Sequence, residues 1–337
     1  MRHLTSLGFG ALVVAMVAAV TPSVVAQRGG WLLVVNKGDR ALGIIDPTTG
    51  AQVAAVPLNG VTGHEVAASP DGKRAFVPIY GDSGVGRPGT DGRTMAVVDL
   101  TTRTLARTVD FGAALRPHHP VVSAARGKLF VTTELANTIT ELDLATMKVT
   151  GTTTTARPEA HMLAITRDGR RGYTANVASG TVSVLDLEKH ALVKVLPLAA
   201  TVQRISLSVD DAWAFTSDQS TPTLLAINTK THVVERKVTL PSTGYGTAST
   251  PDGKFLVVAL SKANKVAIVN LGSFTVERVI DVPAAPQFVL MRPDGGVAYV
   301  SCDVSGQVVA IRTKDWTVEK VIAAGKQADG LAWAPAS

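Results

Sequence analysis

Short apolar runs, alternating or β-branched, follow one another from Trp31 to the end of the chain, broken at regular points by Gly, Asp, Pro and Thr. No stretch carries a helical 3.6-residue period through a plausible helix length, so the pattern predicts strands. A turn recurs as Ser69-Pro70-Asp71-Gly72-Lys73, Thr166-Arg167-Asp168-Gly169-Arg170, Thr250-Pro251-Asp252-Gly253-Lys254 and Arg292-Pro293-Asp294-Gly295-Gly296, with worn copies at Gly127, Asp211 and Ala336. Taking the glycine position as anchor gives 72, 127, 169, 211, 253, 295 and 336, a spacing of 42 apart from one interval of 55 and a last one of 41.

Each period holds four strands. An apolar strand such as Val66-Ala67-Ala68 precedes the turn and one such as Arg74-Ala75-Phe76-Val77 follows it. A β-branched strand ending in an acid or amide comes next, as in Val97-Val98-Asp99 or Ile268-Val269-Asn270, and the fourth alternates apolar and polar residues, as in Val276-Glu277-Arg278-Val279. Asp-Gly turns between such runs are hairpin signals, and repeats of about 42 residues with four strands are propeller blades. Three unassigned strands between Trp31 and Leu58 precede the first anchor, and the chain ends on a lone first strand, Gly330-Leu331-Ala332-Trp333. Pairing these completes an all-β, seven-bladed propeller and removes exposed sheet edges.

Composition adds a compartment. Residues 1–26 have a basic start at Arg2, an apolar run from Leu7 to Val20 and a small-residue exit at Val24 and Ala26, which predicts a signal peptide cleaved before Gln27. The apolar run is shorter than the roughly 20 residues of a spanning helix, so no transmembrane anchor is expected. The mature chain, 27–337, is then expected to be a single domain, periplasmic or secreted, and a monomer. The single Cys302 forms no intrachain disulfide and lies in the apolar run Val297-Ala298-Tyr299-Val300-Ser301, where a buried thiol is expected. A net charge of +6 is mild for this length and gives nucleic acid little support as a partner.

Tyr173-Thr174-Ala175-Asn176, Leu33-Val34-Val35-Asn36 and Tyr299-Val300-Ser301-Cys302 resemble the YVTN repeat of the bacterial YncE-like propellers. The resemblance spans nearly the whole mature chain. It implies an exported propeller, and relatives include surface-layer, DNA-binding and lactonase-like proteins. No catalytic motif of those relatives transfers residue by residue.

In a propeller the first strand of each blade lines the central channel, so equivalent positions form a ring about its mouth. Eight residues before each anchor stand His64, His119, His161, Gln203, Tyr245, Gln287 and Ala328, with Asp329 adjacent. Glu65, Arg116, His118, Arg157, Glu159, Arg204 and Lys326 flank the ring. The Gly-rich insertion from Gly81 to Arg93 accounts for the long interval and is expected to overhang this face as a lid. Two chemistries fit. In one, a small polar or anionic ligand binds through Arg116, His118, Arg157, Gln203, Arg204, Tyr245, Gln287 and Asp329. In the other, His64, His119 and His161 hold a divalent transition metal, with Glu65, Glu159 or Tyr245 as catalytic candidates of a metal-dependent lyase or hydrolase. The adjacency of His118 and His119 leaves open which imidazole faces inward. A third reading makes the propeller face a scaffold for a protein, cell-wall or nucleic-acid partner.

Overall fold

The computed structural model describes Met1 and residues 29–336; the leader expected over 1–26 lies, beyond Met1, outside the described residues. Seven four-stranded antiparallel sheets form a ring, and blade one is closed by the C-terminal strand Ala328–Pro335 pairing with Gly30–Asn36. The innermost strands of blades two to seven are Ala67–Ala68, Pro117–Ser123, Ala160–Ile165, Val202–Leu207, Thr247–Ser249 and Pro286–Met291. No helix among the described residues is long and apolar enough to cross a membrane.

The hydrophobic core is divided among the blade interfaces rather than gathered at the centre. Leu33, Val35 and Ile44 of blade one pack on Val77, Ala96 and Val98 of blade two. Leu32, Val34 and Ile45, on the opposite face of the same strands, pack on Tyr299, Val308 and Ala310 of blade seven. Successive side chains of a strand point to opposite faces, so a blade squeezed between two neighbours needs apolar residues at consecutive positions. That is why the second and third strands read as unbroken apolar runs, while the outer strands, such as Val233–Thr239, alternate half-buried and exposed.

The repeated acids shape turns. Asp71 Oδ1 accepts from Ser69 Oγ and from the Lys73 N–H, and Asp168, Asp210 and Asp252 repeat the arrangement. Gly72 takes φ +69, and a Cβ there would stand 1.9 Å from the Pro335 carbonyl oxygen. Asp46 and Asp99 accept from backbone N–H groups two residues on, closing the third strand as expected of turn formers.

Candidate functional site

The axis of the propeller carries its polar residues on a recurring irregularity. In five sheets the pairing of the innermost strand slips by one residue at the same place: at His118/His119, His161, Gln203/Arg204, Gln287/Phe288 and Asp329/Gly330. Each slip is a β-bulge, which re-aims side chains that a regular ladder would send into a blade interface. Pro117 and Pro120 flank the bulge of blade three, and neither has an N–H for the ladder. His118 and His119 there stand opposite the single Thr132, whose hydroxyl accepts from His119 N–H at 2.8 Å and donates to the His161 carbonyl at 2.9 Å.

The two adjacent histidines part company. His118 stacks on His161 with ring centroids 3.9 Å apart and meets His64 edge-on at 5.4 Å. His119 turns away, its Nδ1 accepting from the Leu163 N–H at 3.2 Å and its ring 6.4 Å from Phe288. The trio expected from the sequence, His64, His119 and His161, is therefore replaced by His64, His118 and His161, because the bulge displaces the inward position by one residue. Among the described residues no group of three His, Cys, Asp or Glu side chains is disposed to hold a metal ion.

Tyr80 lies against all three clustered imidazoles, with its ring 4.7 Å from His64 and 5.0 Å from His118. Its hydroxyl donates to Glu134 Oε2 at 2.6 Å, and the other oxygen of Glu134 accepts from Arg116 at 3.4 Å. Arg116 also donates to Asp91 and to the carbonyl of Arg87 at 2.7 Å. Arg87 belongs to the loop 82–90 between the second and third strands of blade two, so this guanidinium ties the lid to the mouth. Gly86 of the lid packs on Glu159, whose Oε1 stands 2.4 Å from where a Cβ would be. Arg116 holds φ +49, a left-handed conformation that Glu159, Ala285 and Gln327 repeat at the equivalent position of their blades, so it belongs to the entry into the innermost strand.

Beside these rings lies a buried charge cluster. Arg204 donates to Glu65 Oε1 at 2.6 Å and to Asp329 Oδ1 at 3.3 Å, and its guanidinium lies 4.8 Å from the Tyr245 ring and 5.6 Å from that of Phe288. Lys37 bridges Asp329 and Asp303, each at 3.0 Å. Gln203 Nε2 comes within 3.3 Å of His161 Nε2. Of the other expected residues, Arg157 is exposed and donates to the neighbouring Ala156 carbonyl, Gln287 is half-buried, and Lys326 is exposed.

Burial dominates the ionisation. It pushes His64 and His119 down to about 3 and His118 well below its ordinary value, with neighbouring cations adding to the effect for His119. His161 is lowered by burial too, against the opposing pull of Glu134. The imidazoles are therefore neutral at pH 7. Burial pushes Glu65 up to about 8 in spite of Arg204, whereas for Asp329 the burial effect is outweighed by Lys37 and Arg204, which hold it low. At pH 7 the axis sets three cations, Lys37, Arg116 and Arg204, against the carboxylates of Asp91, Glu134, Asp303 and Asp329, with Glu65 protonated.

Sequence reasoning missed Lys37, Tyr80, Glu134 and Asp303. Tyr80, Glu134 and Asp303 stand six residues after the second strand of their blade begins its pairing with the third, and Lys37 five residues after it in blade one; Val177, Gln219 and Ser261 fill the remaining blades at six. Polarity recurring at that offset was the available signal.

Neither a protein-family model nor a curated relative matches this chain. Among solved structures it is similar to the hydrazine synthase of Kuenenia stuttgartiensis, with TM-score 0.74 and 17% identity over 85% of this chain and 93% of that one. It is also similar to the dihydro-heme d1 dehydrogenase NirN in complex with DHE, with TM-score 0.65 and 14% identity over 93% of this chain and 77% of that one. At such identities the likeness establishes the seven-bladed propeller fold and nothing finer.

Proposed function

We propose that the chain is an exported, divergent YVTN-type propeller that binds a small polar ligand, uncharged or cationic, at the lidded mouth of its axis. The observation that carries this reading is a pair of buried atoms at that mouth: Glu65 Oε2 has no hydrogen-bond partner, and His161 Nδ1 has only the Glu134 carboxylate at 3.6 Å, beyond hydrogen-bond distance. An unpartnered buried polar group costs roughly 1–3 kcal/mol, and a ligand that meets it recovers that cost. Three neutral imidazoles, the Tyr80 ring and the side chain of Gln203 supply further polar and flat apolar contact around the same space. Charge decides the ligand class. The arginines expected to clamp an anion are already engaged, Arg116 by Asp91 and Glu134 and Arg204 by Glu65 and Asp329. With carboxylates outnumbering cations, an added anion meets repulsion.

The test is thermal-shift screening of the mature chain against three panels: neutral sugars and polyols, amines and amino acids, and dicarboxylates. A hit from either of the first two, lost in His64→Ala, supports the reading. Stabilisation by dicarboxylates alone overturns it.

A divalent transition metal is the second reading, favoured by neutral imidazoles beside an excess of carboxylates. It needs His118 to rotate off His161, since the stacked rings do not converge. Near-stoichiometric metal in the purified protein, lost in His118→Ala but kept in His119→Ala, would support it. A metal-dependent lyase or hydrolase activity would rest on that result.

A further inference from the structure

We propose that the lower half of the channel is a second, separate binding chamber, shaped for a small uncharged molecule of one or two rings bearing a carbonyl acceptor. A cavity of about 350 Å³ lies there, reached from the face of the Asp-Gly turns and therefore opposite the lid. That volume falls at the lower end of the roughly 300–1,000 Å³ typical of ligand pockets. Its walls are apolar, built by Val121, Met162, Ala164, Ile205, Leu207 and Val289 from four innermost strands. Its inner end is formed by His119, Arg204 and Phe288, and its rim by Arg167 and Asp211, an ion pair at 3.2 Å between the turns of adjacent blades.

The inner end presents donors. His119 Nδ1 accepts the Leu163 N–H, so the neutral ring carries its proton on Nε2. Arg204 is 4% exposed, gives its Nη groups to Glu65 and Asp329, and keeps a buried Nε–H with no partner. The nearby hydroxyls of Ser206 and Thr247 satisfy each other at 2.6 Å. The His119 Nε2–H at the end of an apolar chamber, with the unpartnered Arg204 Nε–H buried behind it, calls for an acceptor on the occupant. The charge on Arg204 is already matched by the Asp329 carboxylate, with Glu65 accepting beside it, and apolar walls penalise an ion, so a neutral carbonyl fits where a carboxylate does not. Phe288 offers a ring face for stacking beside the donors. The tandem histidines thus serve two chambers, His118 the mouth and His119 the cavity.

The probes are 1-tetralone, tetralin and 1-naphthoate, titrated into the mature chain by calorimetry and by saturation-transfer NMR. Tetralone is expected to bind at one site, with tetralin about five- to tenfold weaker for want of the acceptor, and naphthoate weaker still. In His119→Phe the advantage of tetralone over tetralin should shrink, and in Leu207→Trp, which fills the chamber, tetralone binding should vanish. Equal binding of tetralone and tetralin, a preference for naphthoate, or no binding of any probe overturns the proposal. The series on the unmutated chain decides the matter even if a variant fails to fold.

Discussion

Acidification from pH 7 to pH 5 should destabilise this protein through its axial histidines. His64, His118 and His119 are held neutral by burial, with His64 and His119 lowered to about 3. The unfolded chain takes up protons at these positions near pH 6.5, so below that pH it binds more protons than the fold, and stability falls as pH falls. Each such histidine costs about 2 kcal/mol between pH 7 and 5 on this linkage, and three cost about 6 kcal/mol. Glu65 works the other way. Burial raises it to about 8, so through this window the folded state holds a proton that the unfolded state lacks, which offsets about 2–3 kcal/mol on going to pH 5. The net loss is about 3 kcal/mol, a large part of the 5–15 kcal/mol that usually holds a domain together. Urea unfolding followed by tryptophan fluorescence at pH 7, 6 and 5 measures it. Glu65→Gln removes the offset and should roughly double the loss, while His119→Phe should reduce it by about a third of the histidine share. Stability that stays level from pH 7 to 5 in the wild type and in Glu65→Gln alike would refute the assignment of neutral, buried imidazoles.

Arg204→Met leaves Glu65 and Asp329 buried beside each other without their shared cation, and a loss of about 3–5 kcal/mol in chemical denaturation is expected. Tyr80→Phe deletes the hydrogen bond to the Glu134 carboxylate, which should cost about 1.5–3 kcal/mol and shift the NMR signals of His161 more than those of His119. Gly72→Ala should destabilise far more than Gly127→Ala: both glycines have positive φ, but the added Cβ meets the Pro335 carbonyl at 1.9 Å at the former and nothing within 4 Å at the latter. Thermal melts of the pair check this. Cys302 is buried, with its thiol pushed up to about 12 by burial, so it should resist a thiol reagent in the native protein and react once the chain is unfolded.

Much of the axial site was present in the spacing of the chain. Counting back from the turn anchors reaches His64, His161, Gln203, Tyr245 and Gln287, and the ring places Arg204, Glu65 and Asp329 beside it. What counting does not reach is the bulge. A repeat period assigns one inward residue per blade, but the slipped ladder presents two, so His118 joins the mouth and His119 the cavity, and Arg204 and Phe288 come to the axis next to Gln203 and Gln287. The contribution of Lys37, Tyr80, Glu134 and Asp303 was hidden for another reason. They sit at the far end of the second strand, and only the geometry of the ring carries that end to the channel mouth.

The number of blades, the closure of the ring by the terminal strands and the acid-capped turns can all be read along the chain, because these depend on local periodicity and on the conformations that Gly and Asp allow. Which polar groups meet is settled only in the folded ring. Pairings such as Arg204 with Glu65 and Asp329, or Lys37 with Asp303, join residues from blades far apart along the chain. Their contact is set by ring closure and bulge geometry, which no local pattern encodes.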